Sequence, residues 1–170
     1  KPYQPARYWE HLNFPKREWQ ADSGESLYRR GLYTYWCRTF LHPSLLAMDA
    51  PTREEACVER TRSNTPLAAL ALLNDPTYVE AARTLAESVL REAPASPAGG
   101  IERAFGRVLQ RKPTERESEL LTRLFEEDRA RYEAAPEEVS KLLSVGARPQ
   151  PKDLPAVELA AWTSVCRVVL

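Results

Sequence analysis

The 170 residues suffice for one core-bearing domain, or a compact domain with an arm, and not for two full domains. Lys+Arg and Asp+Glu both number 24, so the formal net charge is zero, and without a field that attracts polyanions generic nucleic-acid binding is disfavoured. The 43% hydrophobic and 28% charged residues suit a folded domain, and no apolar run approaches the roughly 20 residues of a membrane span, so no membrane insertion is expected.

Residues 1–24, KPYQPARYWEHLNFPKREWQADSG, follow neither a strand period nor a helix period and carry Pro2, Pro5 and Pro15 among aromatic residues. They read as an irregular arm in which Tyr8, Trp9, Phe14 and Trp19, each with a large apolar area, tie the chain onto the body or onto upstream sequence. Residues 25–170 read as a single helical domain. Its first helix is expected in SGESLYRRGLYTYWCRTF, where Leu27, Leu32, Tyr35, Trp36 and Thr39 or Phe40 fall near one side and Ser23 or Gly24 starts the run. Gly31 within it either permits a close approach or marks a weak point.

LHPSLLAMDAP is rich in turn signals and reads as a connector. The Thr52–Glu55 spacing is that of a capping box and predicts a short helix over 53–60. Ser63, Asn64 or Thr65 caps the next helix, which has Pro66 at its first position and Leu67, Leu70, Leu72 and Leu73 as its buried side. Asp75 and Pro76 repeat the device for a longer helix with Val79, Ala82, Leu85, Ala86, Val89 and Leu90 inward. A linker, APASPAGG at 93–100, precedes a helix with Ile101, Phe105, Val108 and Leu109 inward. Thr114 and Glu117 form a second capping box for a helix to about residue 134, lined by Leu120, Leu121, Leu124, Phe125 and Tyr132. Pro136 opens a shorter helix with Val139, Leu142 and Leu143, stopped by Gly146. After a loop to about Asp153, the last helix turns Leu159, Trp162, Val165, Cys166 and Val169 inward. No segment has strand periodicity, so the fold class is all-α, an irregular bundle of about six to seven helices with an extended aromatic N-terminal arm.

Little of this carries reaction chemistry. The only histidines are His11 in the arm and His42 in the connector, and neither stands in a nucleophile–base–acid pattern, although His42 lies near Ser44 and Asp49. Carboxylate pairs such as Glu54–Glu55, Glu126–Glu127 and Glu137–Glu138 suit first turns and solvated faces. Cys37, Cys57 and Cys166 lie far apart without a CxxC or CxxCH, so no metal ligand set and no covalent haem site is expected in this segment. Cys37 and Cys57 are candidates for a disulfide in an oxidising compartment, the alternative being small buried thiols. The best cluster is basic: Arg29, Arg30 and Arg38, then Arg53, Arg60 and Arg62 just before Asn64 and Pro66. Guanidinium forks beside free helix N–H groups suit a carboxylate, sulfate or phosphate, which makes Arg30, Arg60, Arg62 and Asn64 the candidate ligand-binding residues; the bland alternative is that they brace the connector against Asp49 and its acidic neighbours.

YRRGLYTYW, LHPSLLAMDAPTREEAC, RSNTPLAALALLNDPTYVEAARTLAE, AFGRVLQRKPTERE and ELAAWTSV together resemble the C-terminal domain of unknown function of large planctomycete-type proteins that often carry a cytochrome-c-like domain. The resemblance covers nearly the whole chain. Ala68 stands where that family often has Gln after the NTPL core, so no role of that Gln carries over. The resemblance implies a module of a multidomain, extracytoplasmic or periplasmic protein, with no catalytic residues of its own and any haem in another domain. With the aromatic arm and the apolar CRVVL end, which reads as a cut from a longer polypeptide, it favours a non-catalytic structural or interaction module whose partners are upstream domains of the same polypeptide. The rival expectation is a ligand-binding or hydrolytic domain acting on acidic or sulfated glycans through the Arg-rich helix start.

Overall fold

Proline and the residue before it set most of the helix starts in the computed structural model, which describes residues 1–10, 18–37, 40–92 and 96–170. His11, Phe14, Pro15, Arg38, Thr39 and the first three residues of the 93–100 linker lie outside the described residues. The described residues form an all-α protein with seven helices: α1 Pro43–Ala47, α2 Pro66–Asn74, α3 Pro76–Glu92, α4 Pro97–Val108, α5 Glu115–Ala134, α6 Pro136–Leu143 and α7 Ala156–Val169. The only ladder-type pairing among them is an isolated bridge between Cys37 and Phe40. The chain divides into two units, Lys1–Ala71 and Leu72–Leu170.

In the first unit, aromatic packing replaces helix packing. Trp9 is buried and stacks on Trp19 with ring centroids 5.3 Å apart. Phe40 packs on Trp9 at 5.1 Å and on Tyr8 at 4.7 Å, and Tyr35 meets Trp19 edge-on at 5.9 Å. The Trp19 indole N–H donates to the Pro2 carbonyl at 2.9 Å, and that of Trp9 to the Gln4 side chain. The arm is thus held by rings and their polar edges, as the amphipathic character of Trp allows.

The helix expected after Ser23 does not form. Two 3₁₀ turns, Gly24–Tyr28 and Gly31–Tyr33, are separated by Arg29 and Arg30 with ψ near 146° and 148°, and Thr34 leaves the second turn extended. The supposed apolar side is not buried: Leu32 and Tyr35 are exposed, and Leu27, Trp36 and Phe40 are only half-buried. Tyr35 and Phe40 pack instead on the indoles of Trp19 and Trp9. Gly31 lies against Leu45, whose Cδ2 would stand 3.3 Å from an added Cβ. The helix expected over 53–60 is also absent. The Thr52 hydroxyl accepts from the Glu54 N–H at 3.4 Å, making a local turn, and Arg53 adopts a left-handed φ of 65°. With Val58 fully exposed, this stretch has no apolar face to bury, and a cap alone does not hold a short helix. The connector before it instead contains α1, capped by the His42 ring, which accepts the Ser44 N–H at 3.3 Å.

The second unit is organised on α7, which packs against α3, α4, α5 and α6. Every residue from Leu159 to Cys166 is buried, the signature of a helix with neighbours all round. Trp162 meets Phe125 of α5 at 4.8 Å, and the Tyr132 and Ser164 hydroxyls share a buried hydrogen bond at 3.2 Å. Asp75 caps α3 by accepting the Thr77 N–H at 2.9 Å. Ser96 accepts the Gly99 N–H at 3.3 Å with Pro97 at the first position, so α4 begins inside the stretch expected as a linker. The Thr114–Glu117 box closes in both directions, and Arg111 clamps the same carboxylate at 2.7 and 2.8 Å. These bonds to the charged form, those from Arg111 foremost, hold the Glu117 carboxyl down at about 2. At the rim Leu109 and Leu120 are exposed, not inward as expected, and Asp153 pairs with Arg91 at 2.9 Å.

Candidate functional site

The Arg-rich segment before α2 was the strongest chemical candidate in the sequence, and its geometry starts from Asp49. That residue holds a left-handed φ of 54° and its carboxylate accepts from the Ser63 hydroxyl at 2.6 Å and the Ser63 N–H at 2.7 Å. The Ser63 hydroxyl bond, then the backbone bond, lowers the Asp49 carboxyl below the usual range. Arg60 donates to the carbonyls of Met48 at 3.0 Å and Asp49 at 3.2 Å. Arg60 therefore pins both ends of the 48–63 loop together, which is the work of a brace. Thr65 is the cap of α2: its hydroxyl accepts the Ala68 N–H at 3.2 Å.

The other candidates disperse. Arg30 lies over the Tyr33 ring at 5.7 Å, and Arg53 stacks on Trp36 at 3.9 Å. Arg62 and Asn64 are exposed just ahead of α2. His42 is buried, with Nδ1 accepting from Ser44 and Nε2 2.8 Å from the Tyr3 carbonyl. An acceptor at Nδ1 and a carbonyl opposite Nε2 together require the neutral ring with its proton on Nε2. The three cysteines are thiols, not disulfide-bonded; the exposed Cys57 donates to the Glu59 carbonyl at 3.2 Å, while burial pushes the Cys166 thiol up to about 12. Among the described residues no group of three or more His, Cys, Asp or Glu is arranged to hold a metal ion, and no helix is long and apolar enough to cross a membrane.

Two features stand out that sequence reasoning placed differently or overlooked. The first is α2 itself, PLAALALLN, which has no charged residue and no buried residue. Leu67, Leu70 and Leu73, expected inward, are 58%, 56% and 40% exposed. Their spacing of three puts them on neighbouring turns as one apolar row.

The second feature is a charged row inside α3. Glu80, Arg83 and Glu87 are all buried, Arg83 to 1% exposure. The Glu80 carboxylate accepts the N–H groups of Ala147 and, at 2.8 Å, Arg148. Arg83 donates to the carbonyls of Leu143 and, at 2.6 Å, Arg148. Glu87 faces Arg148 at 3.3 Å, with Arg91 and Arg83 each 3.9 Å away. A signal for this row was present: the three charges fall beside Val79, Ala82 and Ala86 on the apolar side of α3, where solvated residues have no place.

No curated protein matches the chain, and neither does any solved structure. A family model does match, over residues 1–125, taking in the whole first unit, α2 to α4 and the start of α5. By that match the chain belongs to the PSD1 family, described as a protein of unknown function (DUF1553).

Proposed function

We propose that the chain is a non-catalytic helical interaction module of a large exported multidomain bacterial polypeptide, and that it packs against another domain of the same polypeptide. The observation that carries this reading is the outward row of Leu67, Leu70 and Leu73 on an uncharged helix. Covering the exposed half of each leucine contributes roughly 1 kcal/mol at ordinary transfer values. The zero net charge supplies no long-range steering, which a tethered neighbour at high effective concentration does not need. His42 supports the reading too, since both its ring nitrogens serve α1 and the arm. Cofactor chemistry, including any haem, belongs in this reading to other domains of the parent.

The test compares Leu70→Asp in this chain alone and in its full-length polypeptide. The reading expects near-neutral stability alone and a clear loss in the full-length protein; an equal effect in both contexts removes it.

The rival, recognition of acidic or sulfated glycans, keeps Arg62 and Asn64 as exposed groups beside the α2 start. It is the weaker reading because Arg60 is committed to the Met48 and Asp49 carbonyls and Arg30 lies over Tyr33. Binding of a sulfated oligosaccharide that is lost in Arg62→Ala would reinstate it.

A further inference from the structure

The connection between α6 and α7 is held to α3 in an unusual way. Residues 144–153 contribute nothing to the hydrophobic core, whose members stop at Leu143 and resume at Leu154. Every contact described above between this stretch and α3 is polar: Ala147 and Arg148 N–H to Glu80, the Arg148 carbonyl to Arg83, the Arg148 guanidinium to Glu87 and Asp153 to Arg91. Residues 80, 83, 87 and 91 recur at three and four along one face of α3, so a single helix face grips the whole segment.

That grip leaves an imbalance in the closed form. Arg83 Nε and Glu87 Oε1 are buried without a hydrogen-bond partner, and they stand 3.9 Å from each other, within ion-pair reach but too far to bond. An orphaned buried donor and acceptor both favour contact with water. Opening the segment would hydrate both while sacrificing no core burial. Gly146 sits at the turn with φ of 100°, and an added Cβ would lie 2.1 Å from Glu80 Oε2, so the closed form also depends on a glycine there.

We infer that the α6–α7 connection is a polar latch, opening from α3 as a unit while the helical core stays folded, and presenting the Glu80–Arg83–Glu87 row to solvent when it opens. Segments with few buried apolar contacts are the ones that open below the global unfolding free energy. The latch is distinct from the α2 face and does not depend on the role assigned to it.

Amide hydrogen exchange on the whole chain, followed over a series of low urea concentrations, tests this. The Ala147 and Arg148 amides should exchange through an opening nearly independent of urea, while the Val165 amide in α7 follows global unfolding. Gly146→Ala should speed the first pair by about tenfold or more, the scale of losing hydrogen bonds to a charged group, and leave Val165 in step with global stability. Exchange of Ala147 and Arg148 in step with Val165 throughout the urea series in the unaltered chain overturns the latch, whatever the variant does.

Discussion

Two glycines of α4 make opposite predictions from the same helix. At Gly100 an added Cβ would lie 2.2 Å from Trp162 Cη2 and 2.4 Å from Cζ2. Ordinary carbon contacts begin near 3.5 Å, so the ring would have to retreat by about 1.3 Å. It has no room: Trp162 is 5% exposed and its ring packs on Phe125 at 4.8 Å. Overpacking of this kind costs about 1–3 kcal/mol, here at the upper end, while Ala in place of Gly returns about 1 kcal/mol of helix propensity. The net expectation for Gly100→Ala is a loss of about 2 kcal/mol. At Gly106, exposed on the same helix, an added Cβ meets nothing within 4 Å, so only the propensity gain remains, about 0.5–1 kcal/mol. For a chain of this size each kcal/mol moves Tm by roughly 2–4 °C, so thermal unfolding followed by far-UV circular dichroism should show a fall of about 4–8 °C for one variant and a small rise for the other. A Gly100→Ala protein as stable as Gly106→Ala would refute the α4–α7 approach as the reason for that glycine.

Acid should weaken the second unit through Glu117. Its carboxyl is held at about 2 against an unfolded value of 4.5, so the stability it contributes is present above about pH 4.5 and is lost as pH falls toward 2; Glu117→Gln should flatten that part of a urea-midpoint-versus-pH curve, and an unchanged curve would count against the Arg111 clamp. Among the thiols, exposed Cys57 should react with an aromatic disulfide reagent in the native state, whereas Cys166 should react only on unfolding, and prompt labelling of Cys166 would contradict its burial. Arg60→Ala should lose about 0.5–1 kcal/mol and speed proteolysis in the 48–63 loop, while Arg62→Ala should change stability by less than about 0.5 kcal/mol; equal effects would show that Arg60 is no brace.

The parts of the fold legible in the sequence are those where local chemistry and packing agree. Asp75–Pro76, Thr114 with Glu117, and Pro136 with Gly146 each combine a cap or stop with an apolar stripe that α7 then buries. Residues 24–40 show the opposite case. Their apolar spacing fits a helix, but Tyr35 and Phe40 pack on indoles distant in sequence, those of Trp19 and Trp9, and no local pattern announces such partners. The Thr52–Glu55 spacing misleads for a related reason, since capping is worth too little where nothing apolar is buried behind it. A histidine cap on a five-residue helix leaves no periodicity to read, which is why α1 was expected as a connector. At the candidate site the choice between ligand and brace for Arg60 turned on the Met48 and Asp49 carbonyls, which are backbone groups and carry no sequence signature. Leu67, Leu70 and Leu73 of α2 face outward against expectation because a helix apolar throughout its length does not say which face is covered.

The claim that this helical member of the PSD1 family acts by packing on a neighbouring domain rests on the α2 leucine row, and one comparison tests it most directly. The unfolding midpoint of the chain would be measured alone and within its full-length polypeptide, each with and without the paired change Leu67→Asp and Leu70→Asp. The account predicts a higher midpoint in the full-length protein and loss of that gain in the double variant, with little change in the chain alone, where both leucines already face solvent. The same midpoint in both contexts, unmoved by the two aspartates, would contradict it.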